Sequence, residues 1–154
     1  MKPGFFFIKQ AAAAFIVLGL TGCASGPIRE VISTKEAPAA IGPYSQAIKF
    51  GNMLFLSGQI PLDPGSGLLN GGSIEEQTTL VIENLKAVLA ANDMVLKDVV
   101  SMSVFLKDMN DFAKMNAVYG AYFSDKPPAR TTAEAARLPR DVLVEISAIA
   151  AKQK

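Results

Sequence analysis

The chain has 154 residues, half of them hydrophobic, with 15 basic and 14 acidic side chains for a formal charge of +1; that is enough chain for one domain. It contains no histidine, no tryptophan and a single cysteine, Cys23, which excludes Ser-His-Asp and Cys-His nucleophile arrangements, HExxH zinc sites and an intramolecular disulfide. The near-neutral charge speaks against a dedicated nucleic-acid binder, which carries a basic excess or stripe.

Lys2 and Lys9, followed by the uncharged apolar run Ala11 to Leu20, have the plan of an export signal over residues 1–22. The run is shorter than the roughly 20 apolar residues a membrane span needs. Leu20-Thr21-Gly22-Cys23 resembles the lipobox of bacterial lipoproteins. That resemblance implies cleavage after Gly22 and diacylglycerol on the Cys23 sulfur. With Ala24 next in line, it implies a lipid-anchored protein at the outer membrane, facing the periplasm. Residues 23–29 become the lipidated cysteine and a short tether. Losing the two leader lysines leaves 13 basic against 14 acidic residues, a formal charge of −1.

Residues 30–152 read as one domain. Glu30-Val-Ile-Ser is a short strand, and Gly42-Pro43 a turn. Tyr44–Phe50 and Met53–Ser57 form a hairpin about Gly51-Asn52. Pro61, Pro64, Gly65, Gly67, Gly71 and Gly72 punctuate a surface loop. Ser73 and Glu76 have the spacing of a capping box. Ile74, Thr78, Val81, Leu85 and Val88 then keep helical period to about Ala91. Asp98–Leu106 reads as a strand. Phe112, Met115, Tyr119 and Tyr122 mark a second helix, stopped by Pro127-Pro128. Ala129–Glu134 and Val142–Ala151 are the last strands. The order predicts an α+β domain, both helices on one face of a mixed sheet.

The final strand alternates Val142, Val144, Ile146, Ala148 and Ala150 with Leu143, Glu145, Ser147 and Ile149. Glu145 is therefore a carboxylate inside an apolar strand, which requires either a cationic partner or a role in proton transfer. If the last two strands pair antiparallel, Arg130 lies near Glu145. Arg130 offers a planar fork suited to a carboxylate. The pair then reads either as an internal ion pair or as a site, since structural pairs also perturb titration. Tyr44, Ser57 and Asn116 read from pattern alone as local hydrogen-bonding residues.

Several stretches closely resemble the reactive-intermediate deaminase family, RidA, also called YjgF. They are Ala37-Pro-Ala-Ala-Ile-Gly-Pro-Tyr-Ser-Gln-Ala47, Gly51-Asn-Met-Leu-Phe-Leu-Ser-Gly-Gln-Ile-Pro61, Val104-Phe-Leu-Lys-Asp-Met-Asn-Asp-Phe112, Pro128-Ala-Arg-Thr-Thr132, Leu138-Pro139 and Val144-Glu-Ile146. The resemblance implies a chorismate-mutase-like fold and a homotrimer with clefts between subunits. It also implies cofactor-free, metal-free hydrolysis of 2-imino acids, such as 2-iminopropanoate and 2-iminobutanoate, to 2-keto acids and ammonia. Carried over by position, Arg130 grips the substrate carboxylate and Glu145 activates water. Main-chain groups at Gly58 and Thr132 hold the imine end, and Tyr44, Ser57 and Asn116 shape the pocket. An imine is already electrophilic, so the missing histidine is no obstacle: positioning and one acid/base group suffice. The same cleft could serve a non-catalytic ligand-binding or chaperone-like trimer. Ribonuclease activity, attached to members of the family, fits poorly with the −1 charge and the absence of a basic aromatic stripe.

Overall fold

The computed structural model describes residues 28–152, together with Met1 and Gly26. The expected leader, Cys23 and most of the tether lie outside the described residues. Six strands form one sheet: β1 (Arg29–Ile32), β2 (Ala47–Phe50), β3 (Met53–Gln59), β4 (Val99–Leu106), β5 (Ala129–Glu134) and β6 (Val144–Ala151). Two helices accompany them, α1 (Ile74–Ala90) and α2 (Phe112–Tyr122). The sheet order is β1-β2-β3-β6-β4-β5. This is the mixed α+β architecture expected, with both helices on one face.

The helices form where local chemistry starts them. Ser73 accepts from the Glu76 amide while the Glu76 carboxylate accepts from the Ser73 amide, the reciprocal capping box the sequence predicted. Val81, Ile82, Leu85, Val88 and Leu89 follow on one stripe, all fully buried, each worth about 1.5–3 kcal/mol of burial. Thr78 sits in that stripe at no polar cost because its hydroxyl donates to the Ile74 carbonyl at 2.6 Å. Met115 and Tyr119 of α2 close the same core. Beneath the helices, β6 supplies Val144, Ile146, Ala148 and Ala150, alternating with the half-buried residues of its other face as expected.

One expected pairing is corrected. β5 does not pair with β6; it runs parallel to β4, and β4 separates it from β6. The physical reason is connectivity. β4, α2 and β5 form a strand–helix–strand unit, and a helical crossover returns the chain in the direction it left, giving parallel neighbours. β6 then enters from the opposite direction, antiparallel to both β4 and β3. The first hairpin strand is also shorter than expected. Gly42–Tyr44 bends before β2, with the Tyr44 amide donating to the Gly42 carbonyl.

Among the described residues, no helix covers the sheet's second face. Val31, Ile48, Phe50, Met53, Phe55 and Ile149 share it by register. Val31, Phe50 and Phe55 are 56%, 47% and 40% exposed there, making a bare apolar face. No helix among the described residues is long and apolar enough to cross a membrane.

Candidate active site

A cleft of about 390 Å³ opens at one end of the bare face, lined by Ile41, Tyr44, Ser57, Gly58, Ile60, Pro139 and Glu145. A β-bulge builds its floor. Leu56 pairs with Ala148 and Gln59 with Ile146, so Ser57 and Gly58 both oppose Ser147. The extra residue re-aims the strand locally. It also brings the Gly58 backbone against Glu145, where a Cβ would collide with the Glu145 Oε1. Gly58 is needed for that close approach.

Polar contacts fix which atoms face the cleft. The Ser57 hydroxyl donates to the Ser45 carbonyl at 2.7 Å, so its oxygen is left to accept. The Tyr44 hydroxyl oxygen accepts from the Ile41 amide at 3.2 Å, which leaves its proton to donate. Glu145 is half-buried, and burial raises its pKa above the ordinary glutamate value. Its charge has no counter-ion: the ion pairs among the described residues are Lys49–Glu30, Lys86–Glu83 and Arg137–Asp141.

Arg130 is not among the residues lining this cleft, and the internal ion pair with Glu145, one of the two readings of the pair, is not among the ion pairs of the described residues. By register Arg130 sits beside Met102 and Ala148, on the helix side of the sheet, whereas Glu145 lies beside Phe105 on the bare side. Three residues along and two strands across place their Cα atoms roughly 14 Å apart. The Arg130 guanidinium instead stacks over the Tyr119 ring, 4.5 Å from its centroid, with Phe112 at 5.7 Å. Asn116 lies on the same α2 stripe, four residues after Phe112 and three before Tyr119. Thr132 follows Arg130 on the same face of β5.

β5 is the sheet's edge, and its main chain matters. The Ala135 amide donates to the Leu106 carbonyl. With a period of two, the odd-numbered residues of β5 turn their main-chain groups toward β4, while those of Arg130 and Thr132 face outward, unpaired. The eight predicted residues therefore divide three ways. Tyr44, Ser57, Gly58 and Glu145 line the cleft, Arg130, Thr132 and Asn116 gather on β5 and α2 away from it, and Cys23 lies outside the described residues.

Sequence reasoning missed the apolar wall of Ile41, Ile60 and Pro139, and it missed Gln46. That side chain is only 5% exposed. Its amide donates to the Thr34, Ala37 and Pro38 carbonyls and its oxygen accepts from the Thr34 amide, tying down the segment that leads to Ile41. The signal was available, as a long polar residue entering an apolar strand. Among the described residues, no three His, Cys, Asp or Glu side chains lie together as a metal site would require.

The six-stranded α+β sheet thus carries a carboxylate in a bulge-floored cleft and an arginine at its free edge. The model of the endoribonuclease L-PSP family matches residues 34–152, and the chain belongs to that family, the one also called RidA or YjgF. It is 57% identical to a RutC family protein of Pyrococcus horikoshii over 126 residues, covering 82% of this chain and all of the relative. It is 45% identical to the 2-iminobutanoate/2-iminopropanoate deaminase of Salmonella typhimurium, covering 80% of this chain and 98% of that one. The crystal structure of the YjgF gene product of E. coli matches with a TM-score of 0.77 at 44% identity, over 80% of this chain and 99% of the other.

These relatives correct the expectation of a lipid-anchored envelope protein at the outer membrane. Archaeal and cyanobacterial members are matched over 95–100% of their own length by 79–82% of this chain. These relatives are accounted for almost end to end by that share of the chain, and they lend no support to a lipid anchor or an envelope location.

Proposed function

We propose that the chain hydrolyses 2-imino acids of the 2-iminopropanoate and 2-iminobutanoate type to 2-keto acids and ammonia, in clefts completed by a second copy within a homotrimer. The observation that carries this is the pair of unmatched half-sites: a carboxylate without a cation on one face, a guanidinium without a carboxylate on the other. A second copy docked on the bare apolar face would bring its edge strand to the cleft and also bury that face. Homotrimers are typical of the family.

In the completed cleft the Arg130 fork receives the substrate carboxylate through two parallel hydrogen bonds. Glu145 orients a water and takes its proton as the oxygen attacks C2, and the C=N electron pair moves to nitrogen. The proton passes from Glu145 to that nitrogen to give the amino alcohol; Glu145 then takes the remaining hydroxyl proton and hands it to the same nitrogen, so that ammonia leaves as the C2 oxygen becomes the keto oxygen. Ser57 accepts from the imine N–H, Tyr44 donates to the polar end, and outward main-chain groups at Thr132 hold the substrate beside the Gly58 bulge. Asn116 shapes the wall beside Arg130. A raised pKa suits Glu145 to this work, since a base nearer neutrality exchanges protons more effectively.

The test is the decay of imine released by an amino-acid oxidase, timed with and without the protein. Faster decay that is lost in Arg130→Ala and Glu145→Gln is the expected result. Unchanged decay overturns the reading, and keto-acid binding without turnover would favour the non-catalytic ligand-binding alternative.

A further inference from the structure

Pro139 reaches the cleft on a turn with unusual backbone. Arg140 and Asp141, consecutive and neither of them glycine, both adopt left-handed conformations, at φ 56° and 57°. Side chains disfavour that region, so it persists only where surroundings over-determine it. Three attachments do so here. Arg137 grips Asp141 through two parallel bonds, Nε to Oδ1 at 2.7 Å and Nη2 to Oδ2 at 3.0 Å. Arg140 reaches across to the Gly67 carbonyl at 3.3 Å. Leu138 and Val142, on either side, are buried with Ile60 and Leu62 in a small separate core. These attachments tie the turn on both sides of Pro139, which lines the cleft together with Ile41 and Ile60.

We propose that this clamped turn is a specificity device: Ile41, Ile60 and Pro139 form an aliphatic side-chain subsite whose depth is fixed by the Arg137–Asp141 clamp. The wall offers no charged group, so it accepts short aliphatic side chains and excludes acidic ones, which would lose their hydration unpaired. A proline ring has no torsion by which to withdraw, so chain length beyond the wall meets a fixed obstacle. This inference rests on the imino-acid reading of the cleft.

The test measures binding of a series of stable keto acids, from 2-oxopropanoate through 2-oxobutanoate and 4-methyl-2-oxopentanoate to 2-oxoglutarate, to the assembled protein. Each is compared with its imine turnover. Wild type is expected to favour 2-oxobutanoate over both longer members. Pro139→Ala should shift the ratio toward 4-methyl-2-oxopentanoate by about 10-fold, the value of a methylene or two in an apolar pocket. Asp141→Ala, which loses the clamp and keeps the strain, should shift it the same way. Asp141→Gly relieves the left-handed backbone but loses the same carboxylate, so it should shift the ratio as Asp141→Ala does. A ratio unchanged in Pro139→Ala, or a wild-type ratio kept in Asp141→Gly, overturns the proposal. Selective keto-acid binding without imine turnover would refute the deaminase reading and leave the subsite standing.

Discussion

Arg130 and Glu145 occupy opposite faces of one sheet, with β4 between their strands. A site using both must draw them from different copies, and this makes a complementation experiment decisive. Arg130→Ala and Glu145→Gln should each be inactive alone. Refolded together at equal ratio, trimers should regain about a quarter of wild-type imine turnover, because one cleft in four pairs an intact glutamate with an intact arginine from its neighbour. Absence of recovery in verified mixed trimers would mean that the two residues do not share a cleft.

The bare face carries the assembly in this picture. Phe55, in its middle, pairs with Ile48 and Ile149. Phe55→Lys places a charge where apolar contact is needed, an unpaired burial that is costly at an interface. The variant should sediment as a folded monomer, with circular dichroism intact and turnover lost. A Phe55→Lys trimer of normal activity would show that the face is not the interface.

Gly58→Ala tests the bulge. The added Cβ meets the Glu145 carboxylate, and overpacking of this kind costs about 1–3 kcal/mol. The far end of Glu145 can swing aside, so activity should suffer more than stability: turnover falls at least tenfold while the protein still folds. Normal turnover in this variant would remove the close approach from the mechanism.

Glu145 also sets the expected pH response. Burial raises its pKa in the fold, so turnover should climb with pH through that raised value as the carboxylate ionises. The stability effect has the opposite sign. Folding favours the neutral form, so the contribution of Glu145 is most favourable below the ordinary glutamate pKa and is lost as pH rises through the raised one. Glu145→Gln should therefore melt at or above wild type near pH 7, with the difference vanishing by about pH 4. A variant that melts well below wild type at neutral pH would show that the carboxylate is stabilised where it sits, by a partner charge from another copy.

Gln46 has a structural consequence of its own. Gln46→Leu keeps the volume and strips four hydrogen bonds from the Thr34–Pro38 segment. Buried carbonyls left without donors cost about 1–3 kcal/mol. Thermal melting should fall accordingly, with KM for imine rising as Ile41 and Tyr44 lose their support. An unchanged melt would make the clamp dispensable.

Local patterns determined much of this molecule. The Ser73–Glu76 capping box, the apolar stripe of α1 and the two-residue alternation of β6 are short-range signals, and each formed as read. The same alternation marked Glu145 as a carboxylate in an apolar strand, and the matching motifs marked Tyr44, Ser57, Gly58, Arg130, Asn116 and Thr132. Tertiary structure decided how those residues divide. Whether β5 pairs with β4 or β6 depends on the crossover through α2, a contact between segments far apart in sequence, and no pattern within β5 encodes it. That choice sends Arg130 to the helix side, where Tyr119 and Phe112 hold its guanidinium, and leaves Glu145 alone in the cleft. The bulge at Ser57–Gly58 and the left-handed turn behind Pro139 likewise come from packing between distant segments, so the cleft's shape became legible only once the sheet was assembled.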